Sequence, residues 1–245
     1  GCKKDGEKFH VEGCITEACD TMLYLEHLTL NEGVRKIDSV KLDEAGEFSL
    51  KGDRPGNPEF YRLRIGYQVI NLSIDSTETV RVTASLPHMS LGYKVEGSGN
   101  CDTIRLLTLK LDTLGQAIRR TAEDRSLTIP EREEKMQTLI HDYKTDIKLR
   151  YIQNRYERAS SYYAMFQTVD GQMVFNPVSD PSDVTWFAAL ANLWEMHYPG
   201  SPRTINLASI AMDGKKKTHH RVLEIDMDDE KVHESGIIDM GFPDK

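Results

Sequence analysis

The sequence predicts an α+β protein: an N-terminal antiparallel β-sandwich over residues 9–96, then an α-helical domain over residues 100–221. Three observations predict it. Up to residue 96, short apolar or alternating runs recur with turn residues about every ten positions, as in an all-β sandwich or open barrel. At Gly97-Ser98-Gly99 that pattern stops. Beyond it, Ile104, Leu107, Leu111, Leu114 and Ile118 fall at helical spacing.

Strands are expected at Phe9–Cys14, Thr21–Thr29, Val34–Leu42, Glu47–Lys51, Phe60–Ile65, Val69–Ile74, Thr79–Ala84 and Tyr93–Glu96. Asn31-Glu32-Gly33, Glu44-Ala45-Gly46 and Arg54-Pro55-Gly56 supply turns between them, since glycine takes positive φ without a Cβ clash. Gly66 joins the fifth and sixth strands. Thr128 and Pro130, followed by Glu131, Glu133 and Glu134, announce a second helix with acids in its positive first turn. Its apolar face reads Met136, Ile140, Tyr143, Ile147 and Tyr151, a stripe suited to an antiparallel helical hairpin. Shorter helices are expected over Ser160–Thr168 and Asp183–His197, with Trp186, Leu190, Leu193 and Trp194 inward. Ser201-Pro202 opens another, which Gly214 is placed to end. Val222–Met227 reads as a strand or a helix extension, within a strand-like C-terminal segment over residues 222–245 that leads toward a further domain, and residues 1–8 read as a tether.

Over 245 residues, 39% hydrophobic and 29% charged residues describe a globular chain with ample material for a core. A net charge of −8 argues against a nucleic-acid surface. Lys215-Lys216-Lys217 reads as a solvated turn after a helix. There is no phosphate-cradling glycine loop, no His-Glu-x-x-His pair and no Gly-x-Ser-x-Gly elbow. The adjacent His219 and His220 cannot converge on one metal beside three lysines. Asp38-Ser39 and Asp75-Ser76 read as side chains that close turns on their own backbone. The chain by itself is therefore expected to be non-catalytic, with no metal and no cofactor.

Four cysteines include no Cys-x-x-Cys. Cys14 and Cys19 flank a short connection and would either bridge in an oxidising compartment or stay as free thiols. Cys101 stands alone near the start of the first long helix, where the helix field would lower its pKa modestly. Cys2, after Gly1 and before a polar run, has the look of a lipidated N-terminus once a signal segment is removed, or of an incidental cysteine. Tyr61, Tyr67, Tyr162, Tyr163 and Trp186 would offer a binding surface if exposed; aromatics at helical spacing equally belong in a core.

The run Tyr61-Arg62-Leu63-Arg64-Ile65-Gly66-Tyr67-Gln68-Val69-Ile70-Asn71-Leu72, with Ile37–Leu42 and Glu47–Leu50 ahead of it, resembles an uncharacterised β-rich domain. That domain stands at the N-terminus of Gram-negative bacterial lipoproteins, ahead of the thioredoxin-like domain of thiol:disulfide oxidoreductases. Ser161-Tyr162-Tyr163-Ala164-Met165-Phe166-Gln167, Met173-Val174-Phe175-Asn176-Pro177, Phe187–Ala191 and Tyr198-Pro199-Gly200-Ser201-Pro202-Arg203 are similar to the helical linker of the same proteins, in the same order. One departure is visible: Glu157-Arg158-Ala159-Ser160 stands where an Asn-Pro usually precedes the serine-rich helix start.

The resemblance implies a periplasm-facing lipoprotein anchored through Cys2, in the outer membrane, with the chain touching the membrane by its lipid alone. It implies that Ile237–Lys245 leads into the redox domain, which performs the thiol–disulfide exchange. In that setting the chain is a non-catalytic scaffold and partner-binding region, and its partner is the downstream thioredoxin-like domain or a periplasmic protein. The competing expectation is a stand-alone periplasmic or surface lipoprotein that binds a glycan or peptide.

Overall fold

The structure is a computed structural model that describes residues 7–234, with side chains described over residues 7–219. Cys2, and the part of the C-terminal segment from residue 235 on, lie outside the described residues.

All eight expected strands form: β1 (Lys8–Thr16), β2 (Met22–Leu28), β3 (Val34–Lys41), β4 (Glu47–Asp53), β5 (Glu59–Ile65), β6 (Gln68–Ile74), β7 (Thr79–Ser85) and β8 (Lys94–Glu96). They make two four-stranded sheets, β4-β1-β7-β8 and β3-β2-β5-β6. Burial alternates strictly along β4 and along most of β7, so one face of the first sheet looks inward. Phe9 and Val11 of β1, Leu50 of β4 and Val82 of β7 meet Leu25, Leu63 and Leu72 of the other sheet in one cluster, the core of the sandwich. Each fully buried side chain of that size contributes roughly 1.5–3 kcal/mol of hydrophobic free energy.

The sandwich is not wholly antiparallel. β1 pairs antiparallel with β4 but parallel with β7, from His10↔Thr79 to Thr16↔Ser85. Gly13 permits this. Its φ is +149°, and a Cβ there would sit 1.7 Å from the Val82 carbonyl oxygen, so any side chain would push β7 away. The β5–β6 hairpin turns through Gly66 and Tyr67 with positive φ at Gly66 alone, the type II′ pattern. Between β2 and β3 the register slips after Leu25↔Asp38 to Glu26↔Lys36, leaving Ile37 as a bulge.

Helix α1 (Gly99–Glu123) starts three residues after β8, with the Ser98 side chain accepting from the Cys101 amide. Its 25 residues give a rod of about 37 Å. Helix α2 (Ile129–Ile147) opens on a full capping box: Glu131 Oε2 accepts from the Thr128 amide at 2.9 Å, and Thr128 Oγ1 from the Glu131 amide at 3.3 Å. It ends in a π turn, Lys148–Ile152. Helix α3 (Ala159–Met165) follows. Next comes a feature that the sequence reading assigned to helix and loop, a two-stranded ribbon of β9 (Thr168–Val169) and β10 (Gln172–Met173). Asp170 and Gly171 both have positive φ, the type I′ turn that an Asp-Gly pair favours.

Strands give way to helices at residues 97–99, but the compact units divide elsewhere. One unit is Gly1–Val174 and the other Phe175–Lys245. The sandwich and α1–α3 therefore fall in one compact unit, on both sides of Gly97-Ser98-Gly99. The physical reason is that Cys101 belongs to the sandwich core cluster, so the first turn of α1 completes the core.

In the second unit, α4 (Pro181–His197) is capped by Asp180, which accepts from the Ser182 amide at 2.9 Å. Ser201 caps α5 (Pro202–Glu234) by accepting from the Thr204 amide at 3.1 Å. Two expectations fail here: Gly214 does not end the helix, which runs on to Glu234, and Lys215–Lys217 therefore lie in it rather than in a turn. Val222–Met227 takes the helix extension, the second of its two readings. Gly214 serves closeness instead, since a Cβ there would lie 2.3 Å from the Pro177 carbonyl oxygen.

Gly13→Ala should destabilise the protein by more than about 2 kcal/mol, because it meets both an unfavourable φ and a backbone clash. Gly33→Ala, at φ +71° with nothing within 4 Å, should cost only about 1 kcal/mol. Urea unfolding midpoints check both; equal losses would remove the special role of Gly13.

Candidate functional site

Strand β6 is an edge of its sheet, and an edge strand leaves amides and carbonyls in need of partners. Side chains supply them. The Ser73 amide donates to Cys101 Sγ at 3.4 Å, and the Cys101 thiol donates to the Ser73 carbonyl at 3.3 Å. The Val69 amide donates to Ser90 Oγ at 3.2 Å. Helix α3 covers the outer side of the same strands, with Tyr162 stacked on Phe60 of β5 at 5.2 Å and Asn71 of β6 donating to the Tyr163 hydroxyl at 3.1 Å.

Cys101 is fully buried there, and burial pushes its thiol up from the usual range despite help from Ser98. The helix field expected to acidify it is overridden by desolvation. A thiol in that state is a poor nucleophile and a good structural donor.

Helices α1 and α2 enclose a groove of about 420 Å³ lined mainly by Leu109, Leu114, Ala117, Leu139 and Tyr143. Its polar wall is an ion pair, Lys110 Nζ to Asp146 Oδ2 at 2.7 Å, with Arg150 Nε on the other carboxylate oxygen at 2.7 Å. The Tyr143 hydroxyl is buried without a hydrogen-bond partner among the described residues. Burial, with Tyr163 nearby, raises the pKa values of both Tyr143 and Tyr93. Such a groove can accept an apolar side chain beside a charged rim; it presents no nucleophile with a base.

On the outer face of the second sheet, Glu26 is buried and holds two arginines by one oxygen: Arg62 Nε lies at 2.8 Å and Arg64 Nε at 2.9 Å. Burial opposes its charge, but the two guanidinium hydrogen bonds win, and its carboxyl is held below the usual range. Arg64 also lies 4.7 Å from the centre of the Tyr24 ring. This cluster had no signal in the sequence beyond alternation, since the carboxylate and its arginines meet only through the register Glu26↔Arg62 and Tyr24↔Arg64.

The aromatics singled out from sequence do not form one surface. Tyr61 is in the sandwich core and Tyr162 is buried against Phe60, so neither lines an open groove. Tyr163 is half-buried beside Tyr162, Tyr67 is fully exposed at the β5–β6 turn, and the half-buried Trp186 lies on α4 of the second unit. Cys14 and Cys19 are free thiols: Cys14 lies within β1 and donates to the Ala45 carbonyl at 3.2 Å, and Cys19 is exposed between β1 and β2. Asp38 does accept from the neighbouring Ser39 amide, and also from the Lys51 amide at 3.1 Å, tying β3 to β4. In the second Asp-Ser pair the closing group is instead Glu78, which accepts from the amides of Asp75 and Ser76. Among the described residues no group of three His, Cys, Asp or Glu side chains is arranged to hold a metal ion.

Residues 9–104 match a family described as "Domain of unknown function (DUF4369)". No curated protein matches the chain. Among solved structures, "Crystal structure of (S)-allantoin synthase" is similar at 11% identity over 38% of this chain and 45% of that one, with a TM-score of 0.28. The chain thus spans under half the length of that protein, and a likeness so slight carries no argument.

Two outcomes follow for the ionisable groups. A maleimide probe should label Cys14 and Cys19 in the folded protein and reach Cys101 only on unfolding; rapid native labelling at Cys101 would contradict its burial. Glu78 has its pKa raised to about 6 from 4.5, chiefly by burial. The folded state then holds the proton more tightly than the unfolded one, so stability should fall as pH rises between those values and stay lower above them. At this half-exposed site solvent screening keeps the effect under about 1 kcal/mol. Glu78→Gln should remove the slope, measured by urea unfolding at pH 4.5 and 8.

Proposed function

We propose that this chain is the non-catalytic scaffold and partner-binding region of a periplasmic, lipid-anchored thiol:disulfide oxidoreductase, with Cys2 as the lipid-bearing residue. The observation that carries the reading is where the thiols stand. Cys101 is engaged with strand β6 and raised in pKa, while Cys14 and Cys19 lie on a strand and an exposed turn with no helix N-terminus beside them. Exchange chemistry needs an accessible low-pKa thiolate and a resolving thiol within reach. In this reading the exchange chemistry belongs to a thioredoxin-like domain beyond Lys245, as the resemblance of the chain to such lipoproteins implies.

In this reading the sandwich is the base and the α1–α2 hairpin, anchored through Cys101, is the arm beside which a partner is presented. The groove of about 420 Å³ also favours the second reading, a stand-alone lipoprotein that binds a peptide.

An insulin-reduction assay with dithiothreitol separates the two. This chain should match the uncatalysed rate, and the native polypeptide extending past Lys245 should accelerate it, carrying an acyl mass on Cys2 when extracted from membranes. Acceleration by this chain that Cys101→Ser abolishes would overturn the scaffold reading. A native polypeptide that stops at Lys245 would leave the peptide binder.

A further inference from the structure

The outer face of sheet β3-β2-β5-β6 is closed at one end and open at the other. At the Phe60 end, α3 lies over it. Toward the Gly66 end the pleat brings four cations to that face: Lys36 and Lys41 of β3, both exposed, and Arg62 and Arg64 of β5, both half-buried. Only Glu26 among the acids of these strands shares the face, and it neutralises at most one of them. Asp20 and Asp43 stand just beyond the ends of β2 and β3, the Asp20 amide donating to the Leu42 carbonyl at 2.9 Å, so they border Lys41 and leave Lys36, Arg62 and Arg64 as the cationic centre of the face.

Three features suit this patch to a ligand rather than to water. Glu26 fixes both arginines by their Nε atoms, and Arg64 Nη1 also donates to the Gly66 carbonyl at 3.1 Å, so both guanidinium groups are already ordered and little side-chain entropy remains to be lost on binding. Tyr24 packs under Arg64 and Lys36, at 4.7 and 5.8 Å, and widens the platform. Tyr67 stands fully exposed on the adjoining turn, with Met22 37% exposed at the same end of the sheet. Ordered arginines, tyrosine and methionine around a patch are the residue types that protein interfaces favour.

We propose that this face docks an acidic peptide segment of a partner protein, its carboxylates on Arg62, Arg64 and Lys36 and an apolar side chain against Tyr67 and Met22. The local field governs the contact although the whole chain carries −8, because charges more than about 8 Å away are screened at physiological salt. This names a binding surface for the partner-binding reading above, and it rests on that reading only for its biological setting.

Fluorescence anisotropy with labelled octaglutamate and octaglutamine peptides tests it on the chain as it stands. Octaglutamate should bind and octaglutamine should not. Binding should weaken about tenfold in Arg62→Gln/Lys36→Gln and again as salt rises, as expected for charge-assisted contacts. Tyr67→Ala and Lys41→Gln, exposed positions outside the Glu26 cluster, should each weaken it severalfold with unchanged circular dichroism, which keeps the test sound if the arginine variant misfolds. Equal binding of both peptides, or no loss in any variant, overturns the proposal. Capture by phosphatidylglycerol vesicles without octaglutamate binding overturns it too, in favour of an anionic membrane. Such a failure leaves the scaffold reading standing, since insulin reduction by the longer polypeptide does not depend on it.

Discussion

The exchange of hydrogen bonds between Cys101 and Ser73 is the contact on which the first unit depends. A sandwich with β6 at an edge would otherwise expose an unpaired row of backbone groups, and a helical hairpin leaving β8 would otherwise have no fixed base. The Cys101 side chain serves both at Ser73, accepting from its amide and donating to its carbonyl, while Ser90 Oγ accepts from the Val69 amide further along the strand. Cys101 is also part of the apolar core, so the polar link and the packing reinforce each other. From that point the direction of α1 is set, α2 returns along it, and α3 is laid across Phe60 and Asn71.

The two faces of the β5 strand show how the same period serves opposite ends. Tyr61, Leu63 and Ile65 point inward and join the core. Phe60, Arg62 and Arg64 point outward, where one is covered by α3 and two are gathered by Glu26. A carboxylate this buried would be costly alone; two guanidinium partners make it the fixed point of the outer face.

Much of this was legible in the sequence because the signals were local. The eight strands followed from alternation and turn glycines, and the second helix from Thr128, Pro130 and Glu131. What escaped depended on distant partners. Gly13 gives no hint of Val82 until β1 and β7 lie side by side, and Gly214 looks like a helix end until Pro177 is seen against it. Cys101 drew attention by its place near a helix start, yet its burial, which reverses the sign of its pKa shift, comes from strands some thirty residues earlier. The Asp170-Gly171 turn carries a local signal of its own, the Asp-Gly pair, between apolar runs that read as helix and loop. Tyr61 and Tyr162 are interior, and Glu26 meets its arginines only through the pairing of β2 with β5.

The parallel pairing of β1 with β7 has a consequence for how the chain assembles. β1 occupies an interior position of its sheet, yet in chain order it is the first of the sandwich's eight strands and its β7 neighbour is the last but one of them. The ion pair from Arg81 to Glu12 that crosses this seam closes a separation of 69 residues. Such long-range closure is entropically expensive before other contacts exist, so the seam is expected to form late and to slow folding. Until then the β2-β3 and β5-β6 hairpins can form alone, through neighbours in sequence. The N-terminal strand is therefore the keystone set last, and a chain shortened at its start would lose the middle of a sheet rather than its margin.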